Sequence, residues 1–327
     1  MEQGKISTTI LKRSVMSYIH GSDPAGVDCA ALKLGGATPS DTEGTECTAG
    51  TVYAATAVAV DESLLSVRCA VIKACNNILA SGGRVLGIEA ACLIPASARE
   101  IRLKEVTKEL ARACAQCHTK LVGGHTEVTG AVSRIVVTIT ALGEPLPGVA
   151  EPLNAHRIRP GLDIIVTKWL GLEAVALLNE KEEHRRKWEE RFTSQYLEEI
   201  GEYADWLSIE SEAAVAVQHG AQAMHDVSDG GIFAALWEIA EGSHCGFVVE
   251  LEKLPFRQPA IEVMELEKEN LYRGKSSGSL LIFTESGSAM CEALEAAGIP
   301  AGIVGQTTEG HDKILRIADE VRYLDKA

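Results

Sequence analysis

Apolar positions along the chain change their spacing several times, and each change marks an expected element. Residues 51–60 (TVYAATAVAV) are small, β-branched or apolar at nearly every position, which predicts a strand buried on both faces. That run ends at Asp61-Glu62, so two carboxylates are expected at a strand end. Residues 67–80 place apolar side chains at helical spacing and stop at Ser81-Gly82-Gly83, a helix C-terminal signal. A second strand is expected at 84–95. It is followed by a long helix at 98–117 with Ile101, Val106, Leu110 and Ala113 facing inward. Residues 121–127 (LVGGHTE) read as a glycine-rich turn leading to a strand at 134–142.

The stretch 143–162 is rich in proline and glycine and places a boundary between domains at 1–147 and 160–327. The second half restarts with a strand at 163–167 and a helix at 172–178. The charged segment 180–206 predicts a solvated helix with Trp188, Phe192 and Tyr196 turned inward. A helix at 208–218 follows, then a turn at 225–231 (HDVSDGG), a helix at 232–240, strands at 247–251 and 279–283, and a helix at 286–297. Strands and helices alternate in both halves, so the fold class is α/β (α+β) in two domains of similar size. Residues up to about 45, ending in GGATPSDTEGTECTAG, read as a flexible loop.

Composition narrows the partners. With 46% hydrophobic and 24% charged residues among 327, disorder and a collagen-like fibre are excluded. Lys and Arg number 31 against 46 Asp and Glu, a net charge of −15, which argues against a nucleic-acid surface. An anionic ligand then needs backbone amides or a divalent cation. No run approaches eighteen apolar residues and the N-terminus lacks a signal pattern, so a cytoplasmic protein without a membrane partner is expected. Nine scattered cysteines read as reduced, mostly buried thiols. Cys114-Ala115-Gln116-Cys117-His118 has the letters of a haem attachment site. Without a signal for export, packed thiols are the simpler reading, with a redox or metal-binding pair as the alternative.

Five clusters join acidic or amide groups to glycine or an element edge: Gly26-Val27-Asp28, Asp61-Glu62, Asn76-Asn77, Gly123-Gly124-His125-Thr126-Glu127, and His225-Asp226-Val227-Ser228-Asp229-Gly230-Gly231. Glycine lets backbone approach a phosphate, and carboxylate oxygens suit Mg2+, which bridges an acidic protein to a polyphosphate. Each cluster alone also fits a helix cap or a solvated turn.

In this order, and with SSGSLLIF at 276–283, the clusters resemble the AIR synthase-like (PurM-like) superfamily. This group includes aminoimidazole ribonucleotide synthase, formylglycinamidine ribonucleotide synthase, selenophosphate synthetase, thiamine monophosphate kinase and the hydrogenase maturation factor HypE. The resemblance spans about residues 20–310. It implies an N-terminal α/β domain that pairs with its copy in a homodimer, a C-terminal α+β domain, and ATP with Mg2+ in a cleft near the dimer interface. Its chemistry is attack on ATP by a substrate oxygen or selenide.

Carried over by position, the resemblance assigns Asp28, Asp61 and Glu127 to metal, and Asp61, His125 and Asp226 to catalysis. It assigns Asp28, Asn77, Gly123, Gly124, Thr126, Asp229, Gly230, Gly231 and Ser277 to the nucleotide, with Ser276 and Gly278 flanking the last. Asn77 stands where most members carry Asp, which removes a charge. His225 is expected to orient its turn, and Lys168 either to reach phosphate or to be solvated.

The motifs sit nearest the HypE and AIR synthase-related branches. HypE acts through a C-terminal cysteine, whereas this chain ends Val321-Arg322-Tyr323-Leu324-Asp325-Lys326-Ala327, so cyanation by that route is not expected. No reactive N-terminal cysteine of the selenophosphate type is present in MEQGKISTTILKRS, and no glutaminase domain is present. Two readings stay open. One is an ATP- and Mg-dependent enzyme that activates an amide, carboxylate or phosphate oxygen of a small molecule. The other is a non-catalytic nucleotide-binding scaffold that serves a maturation partner protein.

Overall fold

The computed structural model describes residues 14, 26–34, 50–61 and 63–325. Most of the expected loop, including residues 35–49 with Cys47, and Glu62 lie outside the described residues. The chain divides into two compact units, Cys29–Pro152 and Leu153–Ala327, and the segment ending at Asp28 belongs with the second. Asp28, placed by sequence in the N-terminal domain, is thus a residue of the C-terminal unit.

The N-terminal unit is a five-stranded sheet of β1 (Ala30–Lys33), β2 (Thr51–Ala59), β3 (Gly83–Pro95), β4 (Leu121–Thr129) and β5 (Val136–Pro145), in the order β1-β2-β5-β3-β4. Only β3 and β4 pair in parallel. Helices α1 (Leu64–Ala80) and α2 (Glu100–Gln116) carry its apolar stripes. On the sheet, Tyr53, Ala55 and Ala59 of β2, Ile88, Ala90, Cys92 and Ile94 of β3, and Val137, Ile139 and Ala141 of β5 are buried. The close approach of α1 requires Gly143, where an added Cβ would stand 2.5 Å from the Ile78 side chain. Alternate residues of β2, Thr56 and Val58, are exposed. The strand therefore buries one face, not the two that its continuous apolar run predicts, because its small residues make both faces look apolar. Ile101 is likewise exposed, on the first turn of α2, while Val106, Leu110 and Ala113 are buried.

The expected turn at 121–127 is strand β4, exposed along nearly its whole length. Gly124 adopts φ +149° and faces the backbone of Ala90, so only a residue without Cβ fits the pairing with β3.

The C-terminal unit holds a seven-stranded sheet of β6 (Asp163–Thr167), β7 (Ala223–Val227), β8 (Gly246–Glu250), β9 (Ser279–Thr284), β10 (Ala301–Thr308), β11 (Lys313–Ile317) and β12 (Glu320–Tyr323), in the order β12-β11-β8-β10-β6-β9-β7. Strands β7 and β9 are buried at every residue, as hydrophobic runs covered on both faces should be. Its helices are α3 (Leu172–Asn179), α4 (Glu182–Glu189), α5 (Ser194–Glu202), α6 (Glu210–Gln218), α7 (Gly231–Ser243), α8 (Gln258–Glu267) and α9 (Gly287–Ala296). Ile232, Leu236 and Ile239 of α7 pack with Ile164, Leu281, Phe283 and Phe247 in the core.

The charged segment is two helices, α4 and α5, rather than one. Trp188 is fully buried and donates its indole N–H to Glu267 at 2.8 Å, while Phe192 and Tyr196 are half-buried. His225, Asp226 and Val227 end strand β7, so only the second half of HDVSDGG is a turn.

Candidate functional site

In the C-terminal unit, β6 and β7 both run antiparallel to β9, so their C-terminal ends meet the start of β9 at one sheet edge. Three loops gather there. Gly230 and Gly231 take positive φ at the start of α7, and an added Cβ on Gly231 would stand 2.5 Å from the Tyr272 carbonyl. Ser228 O accepts from Gly231 N at 3.1 Å and from Ser276 N at 3.2 Å. Ser276 Oγ accepts from Gly171 N at 2.9 Å, and the buried Ser277 donates to the buried Glu173 at 2.7 Å. Ser277, expected at the nucleotide, therefore holds this loop to α3. Asp229 is half exposed, 3.6 Å from the Lys275 ammonium.

Lys168 does not reach out to solvent. Its Nζ lies 2.6 Å from Glu212 and donates to the Trp206 carbonyl at 2.9 Å, with both side chains largely buried. Burial lowers its pKa, and Glu212 offsets part of that fall.

Beside this edge lies the one cluster among the described residues able to hold a metal ion: Asp28, His225 and Asp226. One Asp28 oxygen lies against His225 Nδ1, out of line for a good hydrogen bond but within ion-pair range; the other accepts from Asp226 N at 3.2 Å. On the far side of the ring, Nε2 is 3.5 Å from Glu238. Burial lowers the imidazole pKa, yet Asp28 and then Glu238 outweigh it and push the ring up to about 10. The cluster's donor set is two carboxylates and one imidazole nitrogen, with Glu238 on the far side of the ring.

In the N-terminal unit, Ala59, Val137, Cys92 and Thr126 form one row across β2-β5-β3-β4. Asp61 and Glu127 follow the two ends of that row. Three strand spacings, about 14 Å, separate the strands that carry them. Asn77 stands fourteen residues beyond Ser63 on α1, about 21 Å along the helix. The sequence-derived donors Asp61, Asn77 and Glu127 are therefore not brought onto one ion, and the expected metal set of Asp28, Asp61 and Glu127 is not assembled within either unit. Asp61 Oδ1 accepts from Ser63 N at 3.0 Å, at the start of α1. Asn77 gives its carbonyl to Ser81 Oγ at 2.9 Å near the helix end. His125 and Glu127 form an exposed pair, 3.3 Å apart, on the edge strand, with Gly123 and Thr126 exposed between β3 and solvent.

Asp61 instead opens onto a cavity of about 320 Å3 at the C-terminal ends of β2 and β3. Ser63 at the start of α1, Ser97 and Arg102 at the start of α2, and Ser133 and Arg134 in the β4–β5 connection share its wall. The sequence reading missed all five. The available signal was a serine N-cap directly after a strand-end acid, and a Ser-Arg pair directly before a strand.

Cys114 and Cys117 are buried at the end of α2; burial, with Cys117 adding, pushes Cys114 up to about 11. Two buried thiols, with that of Cys114 harder to ionise, fit neither a haem anchor nor a redox pair. No described helix is long and apolar enough to cross a membrane.

The comparisons agree with this architecture. Models of the AIR synthase related protein match residues 26–144 with the N-terminal domain and 159–318 with the C-terminal domain. The chain belongs to the AIR synthase related family. Among curated relatives it is 26% identical to "Carbamoyl dehydratase HypE" of Rhodobacter capsulatus, over 76% of this chain and 72% of that protein. It is 25% identical to "Thiamine-monophosphate kinase" of Pyrococcus horikoshii, over 76% and 73%. Its fold matches HypE in the crystal structure of a HypE–HypF complex, with TM-score 0.75 and 17% identity over 97% of this chain and 99% of that one. It also matches HypE in complex with ATP, with TM-score 0.71 and 17% identity over 100% and 96%.

Proposed function

We propose that this protein binds ATP and uses it in AIR synthase-type chemistry, activating an amide, carboxylate or phosphate oxygen of a small molecule by phosphoryl transfer. The observation that carries this reading is the cavity at the strand ends of the N-terminal unit, lined among the described residues by two arginines, three serines and one carboxylate. Strand ends that feed helix starts are where open α/β sheets bind phosphates, and guanidinium groups suit phosphate oxygens. ATP in the HypE complex and AMPPCP in the thiamine monophosphate kinase complex support the choice of nucleotide.

Asp61, the carboxylate on the cavity wall, is assigned to take the N–H proton that an amide gives up as its oxygen bonds to the γ-phosphorus and ADP leaves; a carboxylate or phosphate oxygen attacks as the anion and needs no base. Magnesium in this reading arrives on the nucleotide's own phosphates, because Asp61, Asn77 and Glu127 are too dispersed to hold it together. His125, on an exposed edge strand, and Asp226, within β7, do not line the cavity and are assigned no step in it.

The dispersed carboxylates favour a second reading, a nucleotide-binding scaffold without turnover, working with a maturation partner as HypE does with HypF in their complex. The two separate on one experiment. ATP should raise the unfolding temperature, a ligand at a hundred times its Kd adding about 2.7 kcal/mol. Hydrolysis that disappears in Asp61→Ala while binding remains supports the enzyme; binding with no turnover in the native protein supports the scaffold, and no thermal shift overturns both.

A homodimer through the N-terminal unit is also proposed. Val58 on β2 is an exposed apolar side chain on the sheet face opposite the buried row of Ala59, Val137 and Cys92, and Val128 is exposed on the edge strand β4.

A further inference from the structure

Resting on the assignment of the cavity to nucleotide phosphates, we propose that Arg102 and Arg134 neutralise those phosphates in place of a divalent ion held by protein carboxylates. Nucleotide affinity is then independent of divalent cation. Magnesium demands near-octahedral oxygen ligands at about 2.0–2.1 Å. Among the described residues, the N-terminal unit's expected oxygen donors do not meet that demand around the cavity: Asn77 lies about 21 Å along α1 and Glu127 about three strand spacings away. Asp61 already accepts the Ser63 amide.

The cationic side is assembled. Arg102 projects from the first turns of α2 and Arg134 from the β4–β5 connection, so two elements far apart in sequence bring guanidinium groups to one wall. In a chain of net charge −15, two cations and one acid among the described residues lining the cavity run against the overall balance. Arg102 pairs with Glu105 one turn along α2 at 2.9 Å. That pair is half exposed, and exposed pairs of this spacing are weak enough to yield to a phosphate that accepts two parallel N–H bonds. The hydroxyls of Ser63, Ser97 and Ser133 supply further donors. The starts of α1 and α2 add partial positive charge to the same wall.

Calorimetric titration of the full chain with ATP, once in excess Mg2+ and once in excess EDTA, tests this. The expected result is a Kd that changes by less than about tenfold between the two buffers, with each of Arg102→Gln and Arg134→Gln weakening binding about ten- to a hundredfold in EDTA. Arg84→Gln, at the opposite end of β3 in an exposed pair with Glu144, serves as the control and binds as the native chain does. Thermal unfolding verifies that each variant is folded. Binding that falls more than about tenfold on chelation overturns the proposal and leaves the nucleotide assignment standing. Cation-independent binding that survives both substitutions also overturns it. Binding in neither buffer overturns the assignment and the proposal together.

Discussion

The corner around His225 and the cavity beside Asp61 both join carboxylates to cationic side chains, but they differ in how far those groups are already satisfied. At His225 the ring is clasped between Asp28 and Glu238, Asp28 also takes the Asp226 amide, and the side chains of Asp28 and His225 are about 5% exposed. Around Asp61 the partners are more exposed: Arg102 pairs with half-exposed Glu105, Asp61 accepts the Ser63 amide, and these residues line a cavity. Low dielectric makes the first arrangement costly to disturb, whereas solvent leaves the second cheap to rearrange. A motif rich in acids and glycine can thus end as a brace within its own unit, while two arginines outside every motif line a cavity.

That contrast breaks most sharply at Asp28. Replacing it with Asn removes the anion facing a buried imidazolium, and breaking one side of a buried pair costs about 3–5 kcal/mol. Urea unfolding of Asp28→Asn should show a loss of that size; a loss under about 1 kcal/mol would mean that the pair is not the brace described here.

The same pair gives a pH dependence of fixed sign. Because the folded ring titrates near 10 while the unfolded ring titrates near 6.5, the folded state holds the proton more tightly. The stabilisation is complete below about 6.5 and is lost as pH rises through about 10. Native protein should therefore lose stability between pH 7 and pH 10 relative to His225→Gln, measured by urea midpoints across that range. Parallel curves would sink this assignment.

Smaller, and at the neighbouring loop, is Ser277→Ala. The hydroxyl is a donor to buried Glu173, and its loss leaves that carboxylate short of a partner, at about 1–3 kcal/mol. If Ser277 contacted nucleotide directly, the variant would weaken ATP binding with stability unchanged. The structure requires the reverse order of effects.

Legibility in the sequence followed how local each signal was. Helices α1 and α2, strand β3 and the strand-helix start at 163–179 were legible because apolar spacing and glycine stops act over a few residues. Strand β4 was not, since Gly123-Gly124 carries the letters of a turn. What keeps it extended is its pairing with β3, a contact that begins more than thirty residues earlier in the chain. The brace at His225 joins residues 28 and 225, and the cavity joins Asp61 to Arg134, so neither could be read from spacing. Motif order did identify the family, because it depends on sequence alone. It could not show which carboxylates converge.

The smallest effect expected is no effect, and it tests the covered side of the N-terminal sheet against the open cavity. Cys69 and Cys75 on α1, Cys92 on β3 and Cys114 on α2 are buried within the unit whose strand ends form that cavity. Burial raises the thiol pKa of Cys92 and Cys114, so little reactive thiolate forms near neutral pH. Alkylation of the native chain at pH 8, followed by peptide mass mapping, should leave all four unmodified, whereas the same reagent in urea labels them fully. Rapid native labelling of Cys114 together with Cys117 would instead restore the redox or metal-binding reading of that pair. It would also show that α2 opens from the sheet, which would loosen the wall carrying Arg102 and weaken the contrast between a braced unit and an open cavity.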